Sequence, residues 1–148
     1  MDIVTETTIR ASSLTVWKLI ADTARYPQWN PYIRELHGEL VPGSAIAFRF
    51  ALFKDVTLPA RAQVLVANPG VELRWAGHLF AERFFRAEHF HLFDPLDADA
   101  MRFRHGERFT GIAARLLTPL IRWWAPGRYR AVNAALKLRA ERADLEVA

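Results

Sequence analysis

Alternating apolar and polar residues occupy most of the first 110 positions and predict a succession of β-strands. In Ala45 to Phe50, for example, Ile46, Phe48 and Phe50 fall on one face of an extended chain. Short turn sequences such as Asn68-Pro69-Gly70 separate the strands, which favours an antiparallel sheet. Seven segments show the pattern: 3–9, 33–40, 45–50, 60–66, 71–77, 82–93 and 101–109.

Two other parts of the chain carry apolar residues at helical spacing. Ser12 or Ser13 can cap a short helix after the first strand. A much longer pattern, from 112 to 143, predicts one C-terminal helix. We expect Pro119 to kink this helix and Pro126-Gly127 to bend or interrupt it, because proline cannot donate a main-chain hydrogen bond.

The connector from 22 to 31 combines two prolines with two large aromatic residues. Pro27 and Pro31 stiffen it, and Tyr26 and Trp29 gain free energy when they are buried. We therefore expect the connector to pack as a short helical wedge between the first helix and the second strand. Its aromatic residues then either cover a cavity or pack against the first helix.

Composition favours a single domain over residues 1–148 with a thick core or an aromatic-walled cavity. The chain is 51% hydrophobic and contains ten Phe and five Trp. Because it has no Cys, disulfides, thiol nucleophiles and Cys-based metal sites are excluded. The first eleven residues include Asp2, Glu6 and Arg10 where a signal peptide would be apolar, so we expect a cytoplasmic protein.

Positive charge is concentrated near the C-terminal end. The net charge is +4, and the segment 112–140 contains six basic residues and no acidic one. A solvated helix face explains this most simply, and contact with an anionic membrane is the alternative. No nucleic-acid reading motif accompanies the charges, so no nucleic-acid partner is predicted. Trp123 and Trp124 cannot both face inward on a helix, so one of them should be partly exposed.

Three stretches of the sequence resemble the helix-grip superfamily known as SRPBCC, which includes START lipid-transfer and Bet v 1-type proteins. The chain is most similar to its bacterial polyketide cyclase/dehydrase-like branch. The stretches are Tyr26-Pro27-Gln28-Trp29-Asn30-Pro31-Tyr32, Leu73-Arg74-Trp75-Ala76-Gly77 with Glu88-His89, and His105-Gly106-Glu107-Arg108-Phe109-Thr110-Gly111 continuing to Asn133-Ala134-Ala135-Leu136-Lys137.

The resemblance implies an α+β helix-grip fold, in which about seven curved antiparallel strands wrap a long C-terminal helix and two short helices follow strand 1. It also implies an apolar cavity that binds a small hydrophobic ligand, such as a lipid or a polyketide-like aromatic compound. No cofactor is predicted, and the oligomeric state is left open. The expected ligand-binding residues are Tyr26, Trp29, Phe48, Phe50, Trp75, His91, Phe103, Phe109, Leu120 and Trp124.

Polar residues at alternate positions of the last two strands are the candidates for chemistry. If Phe93, Phe103 and Phe109 face inward, His89, His91, His105 and Glu107 do so too. A one-residue slip would turn all four outward and bring Phe90 and Leu92 inward. The alternating pattern of the resembled family favours the inward placement.

Three uses of this cluster remain open at the level of sequence. His89, His105 and Glu107 can serve as acid–base groups of a cyclase or dehydratase. The same residues can instead line a binding cavity and orient its ligand. A His-x-His strand beside a His-x-Glu strand also has metal-ligand types, although we predict no metal.

Overall fold

A seven-stranded antiparallel sheet forms the body of the protein in the computed structural model. The structure describes residues 1–147, and only the backbone of residues 144 and 147. The sheet curls into a half-barrel, and its strand order is β1-β7-β6-β5-β4-β3-β2. This is the predicted α+β helix-grip fold. The strands are β1 Asp2–Ile9, β2 Ile33–His37, β3 Ala45–Phe53, β4 Val56–Asn68, β5 Glu72–Leu79, β6 Phe85–Asp97 and β7 Ala100–Thr110.

All seven predicted strands exist, but β3 and β4 are longer than the alternating pattern indicated, and β6 begins and ends a few residues later. β4 begins at Val56, because Phe53 and Val56 pair across a tight turn in which Lys54 adopts a left-handed backbone (φ 42°). The turn contains no glycine, so the residue types alone do not predict it. β6 continues through Pro95 to Asp97, beyond the predicted end at residue 93.

The first helix and the connector pack as one unit at an edge of the sheet. α1 (Ser13–Ala21) is capped by Ser12, whose side chain accepts from the Thr15 amide at 3.1 Å. A 3₁₀ turn (Thr23–Arg25) and α2 (Tyr26–Trp29) follow, with Pro27 in the first turn, where no donor is required. α1 and α2 are the two predicted short helices.

The C-terminal helical segment divides at a different place from the one expected. It consists of α3 (Ile112–Leu116) and α4 (Thr118–Val147), which meet at Leu117. Pro119 lies in the first turn of α4, so its missing donor interrupts no hydrogen bond. The interruption predicted at Pro126-Gly127 is wrong, since α4 continues through both residues.

α4 packs against β1 and α1 with one continuous buried face. Lys137 extends from it to donate to the Thr8 carbonyl at 2.6 Å. No helix of residues 1–147 has the length and apolar character needed to cross a bilayer. The buried face of α4 consists of Ile121, Ala125, Tyr129, Val132, Asn133, Leu136 and Ala140.

The pairing of β6 with β7 decides which way the histidines face. His89 lies opposite Glu107, and His91 lies opposite His105. All four side chains are buried on the face that α4 covers. Phe90 occupies the other face and is buried there as well, between the Arg74 guanidinium and Gly106. The inward orientation of the histidines is therefore confirmed.

Candidate functional site

The candidate site is a chain of buried polar side chains between the β6–β7 pair and α4. β6 and β7 contribute the histidines and Glu107, because every second residue of a strand faces the same side. Tyr129 and Asn133 face them from α4, one helical turn apart. The members are Thr5, His89, His91, His105, Glu107, Tyr129 and Asn133, and all are buried.

Hydrogen bonds at one end of this chain fix the orientation of the His105 ring. The Thr5 hydroxyl donates to the His105 carbonyl at 2.9 Å, so its oxygen is left to accept from the Asn133 amide at 2.8 Å. The Oδ1 atom of Asn133 then faces Nδ1 of His105 at 3.0 Å. Since Oδ1 can only accept, Nδ1 of His105 carries a proton.

The chain of polar contacts continues from His105 through His89 to Glu107. Nε2 of neutral His105 is an acceptor, so Nε2 of His89, 2.9 Å away, donates to it. Nδ1 of His89 lies 3.7 Å from a Glu107 oxygen, which also accepts from the Tyr129 hydroxyl. The His89 imidazole and the Glu107 carboxyl therefore face each other in the interior.

His91 differs from the other two histidines because its Nδ1 has no hydrogen-bond partner among the described residues. Its ring stacks on that of His105, with centroids 4.8 Å apart, and the Phe103 ring lies 5.8 Å away. A buried polar atom without a partner costs about 1–3 kcal/mol of folding free energy. The fold therefore tolerates an unmet hydrogen-bonding group in its interior.

Burial dominates the electrostatics of the site. It lowers the pKa of His91 and of His105 well below the usual range, and neighbouring imidazoles add to the effect. Burial also raises the pKa of Tyr129 and of Tyr32, and the nearby Glu107 carboxyl adds to both shifts. At neutral pH, His91 and His105 are thus uncharged and both tyrosines keep their protons.

Aromatic rings surround the polar chain. Trp75 stacks on His89 with centroids 5.0 Å apart and an interplanar angle of 4°. Tyr32 lies over His89 from the opposite direction and touches Phe50 and Trp124 with its ring edges. The space expected to form a cavity is therefore occupied by aromatic and imidazole side chains.

The remaining residues expected to bind a ligand fall into four groups. Phe48, Phe50 and Trp124 are half-buried at the margin of the interior, whereas Trp75, Phe103 and Phe109 lie within the core. Tyr26 donates to the Ile20 carbonyl at 2.6 Å and packs on Trp29, so both pack at the first helix and not over the histidines. Leu120 is a correction: it is 54% exposed, because Ile121 and Ala125 occupy the inward face of α4.

The contact between β3 and α4 closes the interior at one side. The Leu52 carbonyl accepts from Trp124 Nε1 at 2.7 Å and from Arg128 Nη2 at 3.0 Å. We refer to these two hydrogen bonds as the Leu52 contact. Phe50 and Tyr32 lie directly behind it, so its opening would give access to the polar chain.

Three imidazoles of the site also have the chemistry to bind a metal ion. His89, His91 and His105 each offer one ring nitrogen, and these atoms lie within 4.8 Å of one another. A tetrahedral zinc site with bonds of about 2.0 Å places its ligand nitrogens about 3.3 Å apart. The rings would have to draw together, and the hydrogen bond between His89 and His105 would be lost.

Sequence reasoning missed three members of the site, Thr5, Tyr129 and Asn133, and also the Tyr32 ring that lies beside it. The signal for two of them was present, since Tyr129 and Asn133 lie four residues apart in the apolar stripe of α4. A polar residue in such a stripe, facing predicted inward histidines, is a candidate partner for them. Thr5 and Tyr32 carried no comparable signal.

Comparisons with known proteins agree with this architecture. Residues 1–141 match the family described as polyketide cyclase/dehydrase and lipid transport. No curated protein matches the sequence. Among solved structures, a START superfamily protein from Mycobacterium smegmatis is similar with a TM-score of 0.76 and 16% identity, covering 96% of this chain and 98% of that one.

Two enzymes are also among the similar structures. The Zhui aromatase/cyclase from Streptomyces sp. R1128 has a TM-score of 0.75 and 16% identity, with 96% of this chain and 94% of that one covered. Norcoclaurine synthase from Thalictrum flavum has a TM-score of 0.73 and 11% identity, with 97% and 95% covered. At these identities the likeness concerns the fold.

Proposed function

Since the chain belongs to the polyketide cyclase/dehydrase and lipid transport family, we propose that it binds a small hydrophobic molecule between the sheet and α4. The ligand we infer has a flat aromatic or polyketide-like body and at least one carbonyl or hydroxyl group. The body would stack among the aromatic rings of the interior, and the oxygen would reach the buried polar chain.

One observation carries this proposal: the interior holds more polarity than folding requires. An apolar residue at the position of His91 would fill the same core without an unmet hydrogen bond. Instead, Nδ1 of His91 is buried with no hydrogen-bond partner in the described part of the chain. Such groups are uncommon in native interiors and are characteristic of functional sites.

The polar chain suits a ligand oxygen at two points. Nδ1 of His91 can donate to a carbonyl or accept from a hydroxyl, because it makes no hydrogen bond of regular geometry with the described residues. The oxygen of Glu107 that accepts from Tyr129 is the second point. Trp75, which stacks flat on His89, provides a surface for a planar ring.

Entry requires a local opening, because side chains fill the interior. We assign this opening to the Leu52 contact, because Trp124 and Phe50 are only half-buried there. Rotation of Trp124 and Tyr32 away from Phe50 would expose His89. The ligand would then replace these ring contacts with its own.

Titration with a hydroxylated anthraquinone tests binding, with protein fluorescence as the signal. We expect saturation at one molecule per chain, and His91→Phe should weaken the affinity by about tenfold, the effect of one lost hydrogen bond. His78→Phe is the matched control, because His78 is an exposed histidine. Absence of saturable binding, or an equal loss in both variants, would refute the proposal.

Acid–base catalysis on a polyketide-like substrate is the second candidate function. The closeness of the His89 imidazole and the Glu107 carboxyl favours it, because such a pair can take a proton from a carbon next to a carbonyl and return it to a departing hydroxyl. Glu107→Gln and His105→Gln should then abolish cyclisation or dehydration of a poly-β-ketone while binding persists. If both variants retain turnover, these residues are not the acid–base groups.

A further inference from the structure

One end of the protein exposes large apolar side chains that the interior does not use. Three segments meet there because the strands are antiparallel: the turn between β3 and β4, residues 80–84 between β5 and β6, and residues 112–123 of α3 and α4. The last two are joined by main-chain hydrogen bonds from Ile112 to Arg83 at 3.1 Å and from Ala113 to Phe84 at 2.9 Å. We call these three segments the apolar end.

Phe80 is the most unusual residue of the apolar end. It is 93% exposed, and its backbone is left-handed with φ 61°, a region that bulky residues avoid. Its ring touches only the edge of Phe84, 5.5 Å away. A strained and fully exposed phenylalanine adds nothing to the stability of the folded chain, so it indicates contact with something outside it.

The helical segment presents further apolar side chains beside Phe80. Leu116 and Trp123 are 78% and 71% exposed, and Ile112 and Leu120 are exposed with them. Phe53 adds a half-exposed ring from the turn between β3 and β4. Together these residues form an apolar area larger than single scattered surface residues would explain.

The charges around the apolar end are mainly positive, and Asp55 and Glu82 are the acidic residues among them. Lys54, Arg83, Arg115 and Arg122 are exposed, and none of them forms an ion pair within residues 1–147. Glu82 lies 3.9 Å from Arg86, which offsets its charge. An anionic surface would therefore be attracted to this end of the molecule.

We propose that the apolar end docks on the surface of an anionic lipid bilayer. Phe80 and Trp123 would enter the interfacial layer, as aromatic rings on peripheral membrane proteins do, and the four cations would face lipid phosphates. A bilayer fits better than a protein partner because the apolar side chains project from three separate segments and a fluid surface accommodates all of them. This docking does not depend on the interior site, since a chain that binds no ligand could still dock.

Co-sedimentation with vesicles tests the docking. Vesicles of phosphatidylcholine with phosphatidylglycerol should bind the protein, and binding should weaken with salt. Phe80→Asn combined with Trp123→Gln should lower the partition coefficient by about tenfold or more, because two aromatic anchors are lost. Asn tolerates a left-handed backbone, so the fold should persist.

Two matched controls separate docking from general surface effects. Val71→Asn combined with Leu96→Asn removes exposed apolar residues at the opposite end of the sheet and should leave vesicle binding unchanged. Arg115→Gln with Arg122→Gln should reduce binding only when phosphatidylglycerol is present, whereas Arg102→Gln should not. The proposal fails if the wild-type protein does not sediment with vesicles, or if both ends respond alike. It also fails if Phe80 and Trp123 instead hold two copies of the chain together in solution.

Discussion

His89 and His105 face each other across neighbouring strands through their Nε2 atoms, which lie 2.9 Å apart. Such a contact needs one nitrogen that donates and one that accepts. The amide of Asn133 makes His105 the acceptor and His89 the donor, because it holds the proton of His105 on Nδ1. A single residue of α4 thus sets the proton arrangement of the β6–β7 pair.

Asn133→Ala should disrupt this arrangement. The substitution leaves the Nδ1 proton of His105 and the Thr5 hydroxyl oxygen without their partner, so we expect a loss of about 2–3 kcal/mol of unfolding free energy. Urea unfolding measures it, and imidazole nitrogen NMR should show that His105 no longer holds one tautomer. Arg130→Ala, on the exposed face of the same helix, should change stability by less than about 0.5 kcal/mol. Equal losses in the two variants would contradict the assigned chain.

Stability should fall as the pH drops below 6.5, the ordinary histidine pKa. His91 and His105 have lowered pKa values and stay neutral in the folded protein, but they take up protons once it unfolds. The unfolded state therefore binds more protons below pH 6.5, and the stability present above that pH is lost on acidification. Chemical denaturation over a pH series should give a slope of about two protons from this pair. In His91→Phe the slope should decrease by about one proton, and an unchanged slope would contradict the burial of a neutral His91.

Gly106 and Gly127 should respond to alanine in opposite ways. A Cβ at Gly106 would collide with the Ile3 carbonyl and lie 2.8 Å from the Phe90 ring, so Gly106→Ala should cost about 3 kcal/mol. A Cβ at Gly127 meets nothing within 4 Å, and an alanine inside α4 should stabilise the protein by about 1 kcal/mol. Thermal unfolding of both variants checks this. A stabilised Gly106→Ala would show that β1, β7 and Phe90 are packed differently.

Trp124→Phe should make the interior easier to enter. It removes one of the two donors to the Leu52 carbonyl and leaves Arg128 in place, so the fold should persist. We expect the anthraquinone to associate several-fold faster in stopped-flow fluorescence. Trp123→Phe changes the exposed neighbour and should leave the rate as it is. Equal rates in the two variants would place the entry elsewhere.

The sequence predicted the strands and the inward histidines because both follow from period-two alternation. It could not predict which polar residues of other elements contact those histidines. Asn133 and Thr5 come from α4 and β1, and their contact depends on how the helix lies on the sheet. Helical periodicity gives the face of a helix but not its position along a strand.

Other differences arise from local geometry that residue types describe poorly. Prolines in α4 were expected to break the helix, yet the break falls at Leu117 and Pro119 lies where no donor is needed. The apolar end escaped prediction because its residues are separated by up to 70 positions in the chain. Only the antiparallel topology brings Phe53, Phe80 and Trp123 to the same end of the molecule.

The most direct test of the account is histidine imidazole NMR during titration with the hydroxylated anthraquinone. If the interior binds the ligand, the ring signals of His89, His91 and His105 should shift and reach a plateau at one equivalent, while those of exposed His37 and His78 stay in place. If the three buried rings do not respond and only surface groups shift, the polar chain is not a ligand site and the central claim is wrong.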